Sequence, residues 1–173
     1  MAYAPVIIST DFIDKSLEDD AAADPDDFIL KDKANEKRFK INLAESRKRA
    51  KQNANKLFAG WTIYCVDTIT GGFDTYRSIV EANGGKCNSY RGRPGTMVPS
   101  RRADSDSTAM GEDEGSAEVF LLSGTEEEHE RIWQRFRQMA EGTRNIPKVV
   151  RTEWLLESAM GQRVLPSAGF EIG

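Results

Sequence analysis

The residues that could do chemistry in this chain are few and poorly placed for it. There is one histidine, His129, and there are two cysteines, Cys65 and Cys87. The cysteines stand in strand-like contexts without CxxC spacing, and one histidine cannot complete a four-ligand zinc set with them. His129 sits amid Glu126, Glu127, Glu128 and Glu130, surroundings that do not suggest a nucleophilic triad. Both thiols read as reduced, buried groups of an intracellular protein. No catalytic residue, metal or cofactor is expected, and the chain reads as a non-enzyme.

The remaining chemistry is that of binding. Arg91-Gly92-Arg93-Pro94 matches the core of a minor-groove hook, in which an extended Arg-Gly-Arg lies along A/T base pairs. The same four residues also fit a plain flexible loop, and the lysines that flank such hooks are missing. Arg91 and Arg93 are therefore candidate DNA contacts only. The net charge of −4 conceals segregation: Asp11 to Asp27 holds eight acids and one base, and Lys31 to Lys56 ten bases and three acids. Such blocks mark solvated faces or a partner surface. With 173 residues, 39% hydrophobic and 30% charged, the composition suits one domain with extensions or two very small ones. Val119-Phe120-Leu121-Leu122 is too short to span a membrane, and Pro5-Val6-Ile7-Ile8 too short for a signal peptide.

The elements that would position these residues alternate along the chain. Gly60 to Val66 is a strand rich in β-branched and aromatic residues. After the Thr70-Gly71-Gly72 turn, Phe73, Tyr76, Ile79, Val80 and Asn83 mark one face of a helix, which Gly84-Gly85 stops. Lys86 to Tyr90 is a weaker strand, and Glu118 to Ser123 an apolar one suited to burial on both faces. Thr125 and Glu128 form a capping box for a helix carrying Ile132, Trp133, Phe136, Met139 and Ala140. Ile146 to Val150 is a fourth strand and Glu153 to Met160 a last helix. An α/β fold follows, a four-stranded parallel sheet with helices on both faces. The polar stretch 91–117 reads as a flexible insertion. Asn42 with Glu45 caps a basic helix running to about Asn55, with a thin apolar stripe.

An internal repeat organises the whole. Residues 5–17, PVIISTDFIDKSL, align without gaps on residues 147–159, PKVVRTEWLLESA. Pro5/Pro147, Thr10/Thr152 and Ser16/Ser158 are identical, and Phe12 aligns with Trp154. Each copy reads as a short buried strand, a Thr cap and a helix with an inward aromatic, followed by a proline and a phenylalanine (Pro25 and Phe28; Pro166 and Phe170). The expected division is 1–30 as the tail of a preceding unit, 31–56 as a basic linker with its helix, and 57–173 as a complete unit.

This βαββαβα pattern resembles the BRCT domain, through Gly60 before the first strand, Gly84-Gly85 after the first helix, and Trp154 followed by Ser158. The resemblance implies Trp154 as the core anchor, with Gly84 and Gly85 as structural positions. The linker, from Asp27-Phe28-Ile29-Leu30 to Leu43-Ala44-Glu45-Ser46, is similar to the segment before the last BRCT unit in multi-BRCT genome-maintenance scaffolds. These include fungal replication-fork repair scaffolds and animal proteins of the PTIP type.

The resemblance also implies where a ligand would sit. Phosphate-binding BRCT units use a Ser or Thr at the end of the first strand, a following N–H and a Lys of the second helix. Here Val66 and Asp67 fill the first positions, and Glu126-Glu127-Glu128 opens a helix without lysine, which would repel a phosphate; Thr68 is a weak substitute. In a tandem pair the distal unit supplies a groove wall instead. By position that wall is Thr70, Gly71 and Gly72 with Arg151, Thr152 and Leu156, although Thr152 also reads as a cap and Leu156 as core. The implied function is nuclear and non-catalytic: the distal half of a tandem BRCT pair in a DNA-damage-response scaffold, helping to read a phosphorylated protein tail such as a histone's. Other DNA-repair proteins are expected partners, with no membrane. The rival reading is a phosphate-independent assembly module, with weak DNA contact through the linker or the Arg91–Pro94 loop.

Overall fold

The computed structural model describes residues 2–93, 117–125, 127–141 and 145–172. Most of the insertion read at 91–117 lies outside the described residues. In chain order come α1 (Asp11–Glu18), α2 (Lys33–Arg38), α3 (Leu43–Asn53), β1 (Thr62–Val66), α4 (Phe73–Ala82), β2 (Lys86–Tyr90), β3 (Ala117–Ser123), α5 (Glu130–Ala140), β4 (Asn145–Arg151) and α6 (Thr152–Gly161). Short 3-10 turns fill Pro25–Phe28, Glu127–His129 and Ser167–Gly169.

The strands form one parallel sheet, as expected, and the order is β2-β1-β3-β4. All five residues of β1 are buried, because helices cover both faces and no side chain of this central strand reaches water. On one face Phe120 of β3 stacks on Trp154 of α6 at 4.7 Å, and Phe58 and Trp61 complete the cluster. On the other, Tyr64, Tyr90 and Phe136 meet edge to face. Trp154 is fully enclosed and its indole N–H donates to the Leu165 carbonyl at 2.8 Å, which satisfies the polar atom that burial would otherwise strand. Gly84 takes φ +82° beyond the last turn of α4, and a Cβ on Gly85 would come within 2.8 Å of Val80 and 2.9 Å of Phe58. Cys65 and Cys87 are free and buried. The hydrogen bond that Cys65 shares with Cys87, reinforced by burial, pushes the Cys65 thiol far above its ordinary range.

The two repeat copies share a hydrogen-bond pattern residue for residue. Ser9 N–H donates to Phe28 O and Leu30 N–H to Ile7 O; at the aligned positions Arg151 N–H donates to Phe170 O and Ile172 N–H to Val149 O. Ala23 N–H donates to Ser16 Oγ at 3.1 Å, and Leu165 N–H to Ser158 Oγ at 3.2 Å. The antiparallel bridges Ile8–Ile29 and Val150–Glu171 also align.

Three local expectations need correction. The first copy makes no buried strand: Val6 and Ile7 are exposed, and Ile8 has only its single bridge. Its counterpart is a strand because β3 pairs with it along the other edge, and residues 5–9 have no such partner among the described residues. Neither threonine caps through its side chain: Thr10 already has helical angles, and Arg151, not Thr152, is the extended residue before α6. The α-helix of α5 begins only at Glu130, after a 3-10 turn; the Glu128 side chain of the expected capping box lies outside what the structure describes.

The linker helix is fastened to the complete unit. Asn42 caps α3 by accepting from Glu45 N–H at 2.9 Å. Arg49 donates to the Gly161 carbonyl at 2.7 Å and Asn53 to the Gln162 carbonyl at 3.0 Å. A guanidinium at the carbonyl end of α6 meets the negative pole of that helix. Gln162, buried and left-handed at φ 50°, donates in turn to Asn83 at 2.8 Å.

Candidate peptide-binding site

In a parallel sheet, ligand crevices form outside the carboxyl ends of strands where the strand order reverses direction. Here that point lies between β1 and β3, where Val66, Asp67 and Thr68 leave β1 and Ser123 ends β3. Protein atoms fill it. His129, almost wholly buried, pairs through Nε2 with Thr68 Oγ1 at 2.9 Å and through Nδ1 with Ser123 Oγ at 3.3 Å. The Trp133 indole N–H donates to the same Ser123 oxygen at 2.7 Å. The Thr68 hydroxyl, the one placed to meet an anion, is engaged, and an imidazole stands in the space.

The flanking charges oppose an anion too. Asp67 accepts from Ser89 Oγ at 2.8 Å and pairs with Arg91 Nε at 3.0 Å. The Ser89 bond first, and Arg91 second, hold its carboxyl below the usual carboxylate range, so it is an anion at neutral pH. Glu127 is exposed beside this point; Glu126 lies outside the described residues. Two of the three arginines of α5 turn elsewhere: Arg135 donates to the Gly92 carbonyl at 3.1 Å and Arg137 to the Ile172 carbonyl.

The six groove-wall residues lie at two corners of the sheet's carboxyl edge. Thr70, Gly71 and Gly72 lead into α4; Arg151, Thr152 and Leu156 belong to the end of β4 and the start of α6. Thr70 offers its carbonyl to Tyr76 Oη at 2.9 Å. Gly71 at φ +93° and Gly72 at φ +83° keep that turn tight, and a Cβ on Gly71 would come within 2.8 Å of the Tyr76 hydroxyl. Arg151 donates to Gly169 O at 2.9 Å, and its buried Nε has no hydrogen-bond partner among the described residues. Thr152 Oγ1 donates to Glu153 at 3.3 Å, and Leu156 packs half-buried against the core. Of the candidate DNA contacts, Arg91 is paired with Asp67 and Arg93 is exposed; Pro94 lies outside the described residues.

His129 is the residue of the candidate site that sequence reasoning missed, because four glutamates surround it. A signal was available in the spacing. Positions 129, 133, 136 and 140 lie on one helical stripe, and all four are buried.

Among the described residues no helix is long and apolar enough to cross a membrane, and no group of side chains could hold a metal ion. No family model matches the sequence. The BRCT-containing protein 1 of Schizosaccharomyces pombe is 23% identical over 164 residues, which are 94% of this chain and 17% of that protein. The chain thus spans about a sixth of the length of the curated relative it matches. The crystal structure of the S. pombe Brc1 BRCT5-BRCT6 domains superposes with a TM-score of 0.64 at 23% identity, covering 94% of this chain and 70% of that one. A crystal structure of Rtt107p gives 0.60 at 17%, covering 95% and 64%. The complex of Rtt107p with phosphorylated histone H2A gives 0.57 at 17%, covering 91% and 61%. The chain has the BRCT fold, and it resembles the BRCT regions of these fungal proteins.

Proposed function

From its BRCT fold, we propose that this chain is the distal part of a tandem BRCT pair, a non-catalytic protein-interaction module of a nuclear DNA-damage-response scaffold. On this reading residues 1–30 are the tail of a preceding unit, 31–56 the linker and 57–173 the complete second unit. The observation that carries it is the shared hydrogen-bond pattern of the two copies, which gives residues 5–30 the local build of a unit's last segment.

The pair would read a phosphorylated protein tail on chromatin; Rtt107p, similar in fold, has been solved with such a histone. Phosphate would be gripped in the preceding unit, because the crevice of the unit described here holds His129. Thr70, Gly71, Gly72, Arg151, Thr152 and Leu156 would line the wall for residues downstream of the phosphate. The filled crevice equally favours the second reading, a module that assembles with other repair proteins without any phosphate. Direct DNA binding is the weaker option, given the net charge of −4 and the Arg91–Asp67 pair.

Titration calorimetry with phosphorylated and unphosphorylated histone tails separates these readings. The 173-residue chain should bind both forms weakly and alike, and a longer protein carrying the preceding unit should prefer the phosphorylated form. Tight, phosphate-dependent binding by the present chain would sink the division of labour. No phosphate preference in the longer protein would leave the assembly reading standing.

A further inference from the structure

Val6 and Ile29 align with Lys148 and Glu171 of the second copy. In the complete unit those two residues form an ion pair of 2.7 Å, with side chains still 23% and 37% exposed. That corner of the fold therefore faces water even when sheet and helices are in place. In the first copy the same corner is apolar, and Val6 and Ile29 are 40% and 41% exposed. A preceding sheet would cover Ile13, whose counterpart Leu155 is fully buried, and would leave Val6 and Ile29 partly exposed, as Lys148 and Glu171 are. That apolar corner is open to another occupant.

The chemistry of the surroundings says which. Val6, Ile7 and Ile29 floor a groove of about 450 Å³ between the N-terminal segment and α3. Lys31 and Lys33 stand on one rim and Arg47, Lys48 and Lys51 of α3 on the other. The acid among the lining residues, Glu36, is already accepting from Leu43 N–H at 2.7 Å. Among the described residues no ion pair reaches the five cations, and the buried Nε of Arg47 has no hydrogen-bond partner. The α3 side of the rim is held in place, since Arg49 and Asn53 fasten the opposite face of α3 to α6.

We propose that this groove binds an acidic linear segment of a partner protein that carries apolar anchor residues. Carboxylates would meet the rim through charge-assisted hydrogen bonds, and the anchors would cover Val6 and Ile29. Duplex DNA would supply anions and nothing to cover the apolar floor.

Fluorescence anisotropy on the 173-residue chain, with a short peptide alternating glutamate and leucine, tests this. Saturable binding is expected, weakened about tenfold by Lys48→Glu with Lys51→Glu. Val6→Lys with Ile29→Glu, which installs the second copy's ion pair, should abolish it. Circular dichroism checks folding, and if that second variant does not fold, the exposed α3 pair decides alone. Absence of binding, equal binding of a lysine-for-glutamate peptide, or a DNA duplex binding with the same sensitivity to the α3 variants overturns the proposal. So does loss of peptide binding in a longer protein, because the groove would then be only the preceding unit's seat. Phosphate-dependent binding by the longer protein should survive these variants, so the two readings fail separately.

Discussion

Phe12 and Trp154 hold the same place in two copies of one segment, and only Trp154 is enclosed. Around Trp154, β3 and the neighbouring aromatics supply contacts on every side; around Phe12 the recorded ring contact is Phe28, edge-on at 5.9 Å. The backbone hydrogen bonds of the return segment are the same in both copies, and the burial is not. Local sequence is thus enough to specify the turn, the helix and the return bridge. Burial of the apolar side chains requires a sheet, and residues 5–30 have none within the described structure.

The largest expected effect tests that contrast directly. Trp154→Ala should cost about 3–5 kcal/mol, a large share of a typical stability of roughly 5–15 kcal/mol, whereas Phe12→Ala should stay within about 1 kcal/mol. Thermal melts decide it, and equal losses at the two sites would mean that the first copy is enclosed in solution. The next test removes one hydrogen bond from each copy. Ser158→Ala leaves the Leu165 N–H without its partner and should cost about 1–3 kcal/mol; at Ser16→Ala water can reach Ala23 N–H, and the cost should stay below about 0.5 kcal/mol. Similar costs in chemical denaturation would refute a difference in solvation. The smallest effect belongs to the ion pair that the first copy lacks. Lys148 first, and then Ser167, hold the Glu171 carboxyl below its ordinary value. A carboxyl lowered by folding stabilises above its unfolded value of about 4.3, and the contribution disappears as pH falls through the lower folded value. At this exposure Glu171→Gln should cost no more than about 0.5 kcal/mol near neutrality. The two melting curves should converge in acid; a gap that persisted there would assign the effect to something other than charge.

The parallel sheet, the helices that cover it and Trp154 were legible because apolar periodicity and large aromatics report burial directly. The alignment of the two copies was legible as well, and hydrogen bonding extends it beyond the thirteen matched residues, through Ala23 and Leu30. The missing strand at residues 5–9 was not legible, because β-branched residues describe what a strand would pack and not whether a neighbour is present. The threonine caps failed for a local reason: capping needs an extended backbone, which Arg151 adopts and Thr10 does not. At the candidate site, Val66 and Asp67 spoke against a phosphate from sequence alone. The reason the crevice is filled was overlooked, since the run of glutamates masked the stripe that His129 shares with Trp133, Phe136 and Ala140.

The fastening of α3 to α6 has a mechanical consequence. Eleven residues of helix make a strut about 16 Å long, anchored at one flank through Arg49 and Asn53 and carrying the groove on the other. Because those two bonds tie the helices together, a tilt of α6 would carry α3 with it, and with α3 the cationic rim of the groove. A partner that grips the first helical turns of α6 and one that grips the groove would each load the same beam.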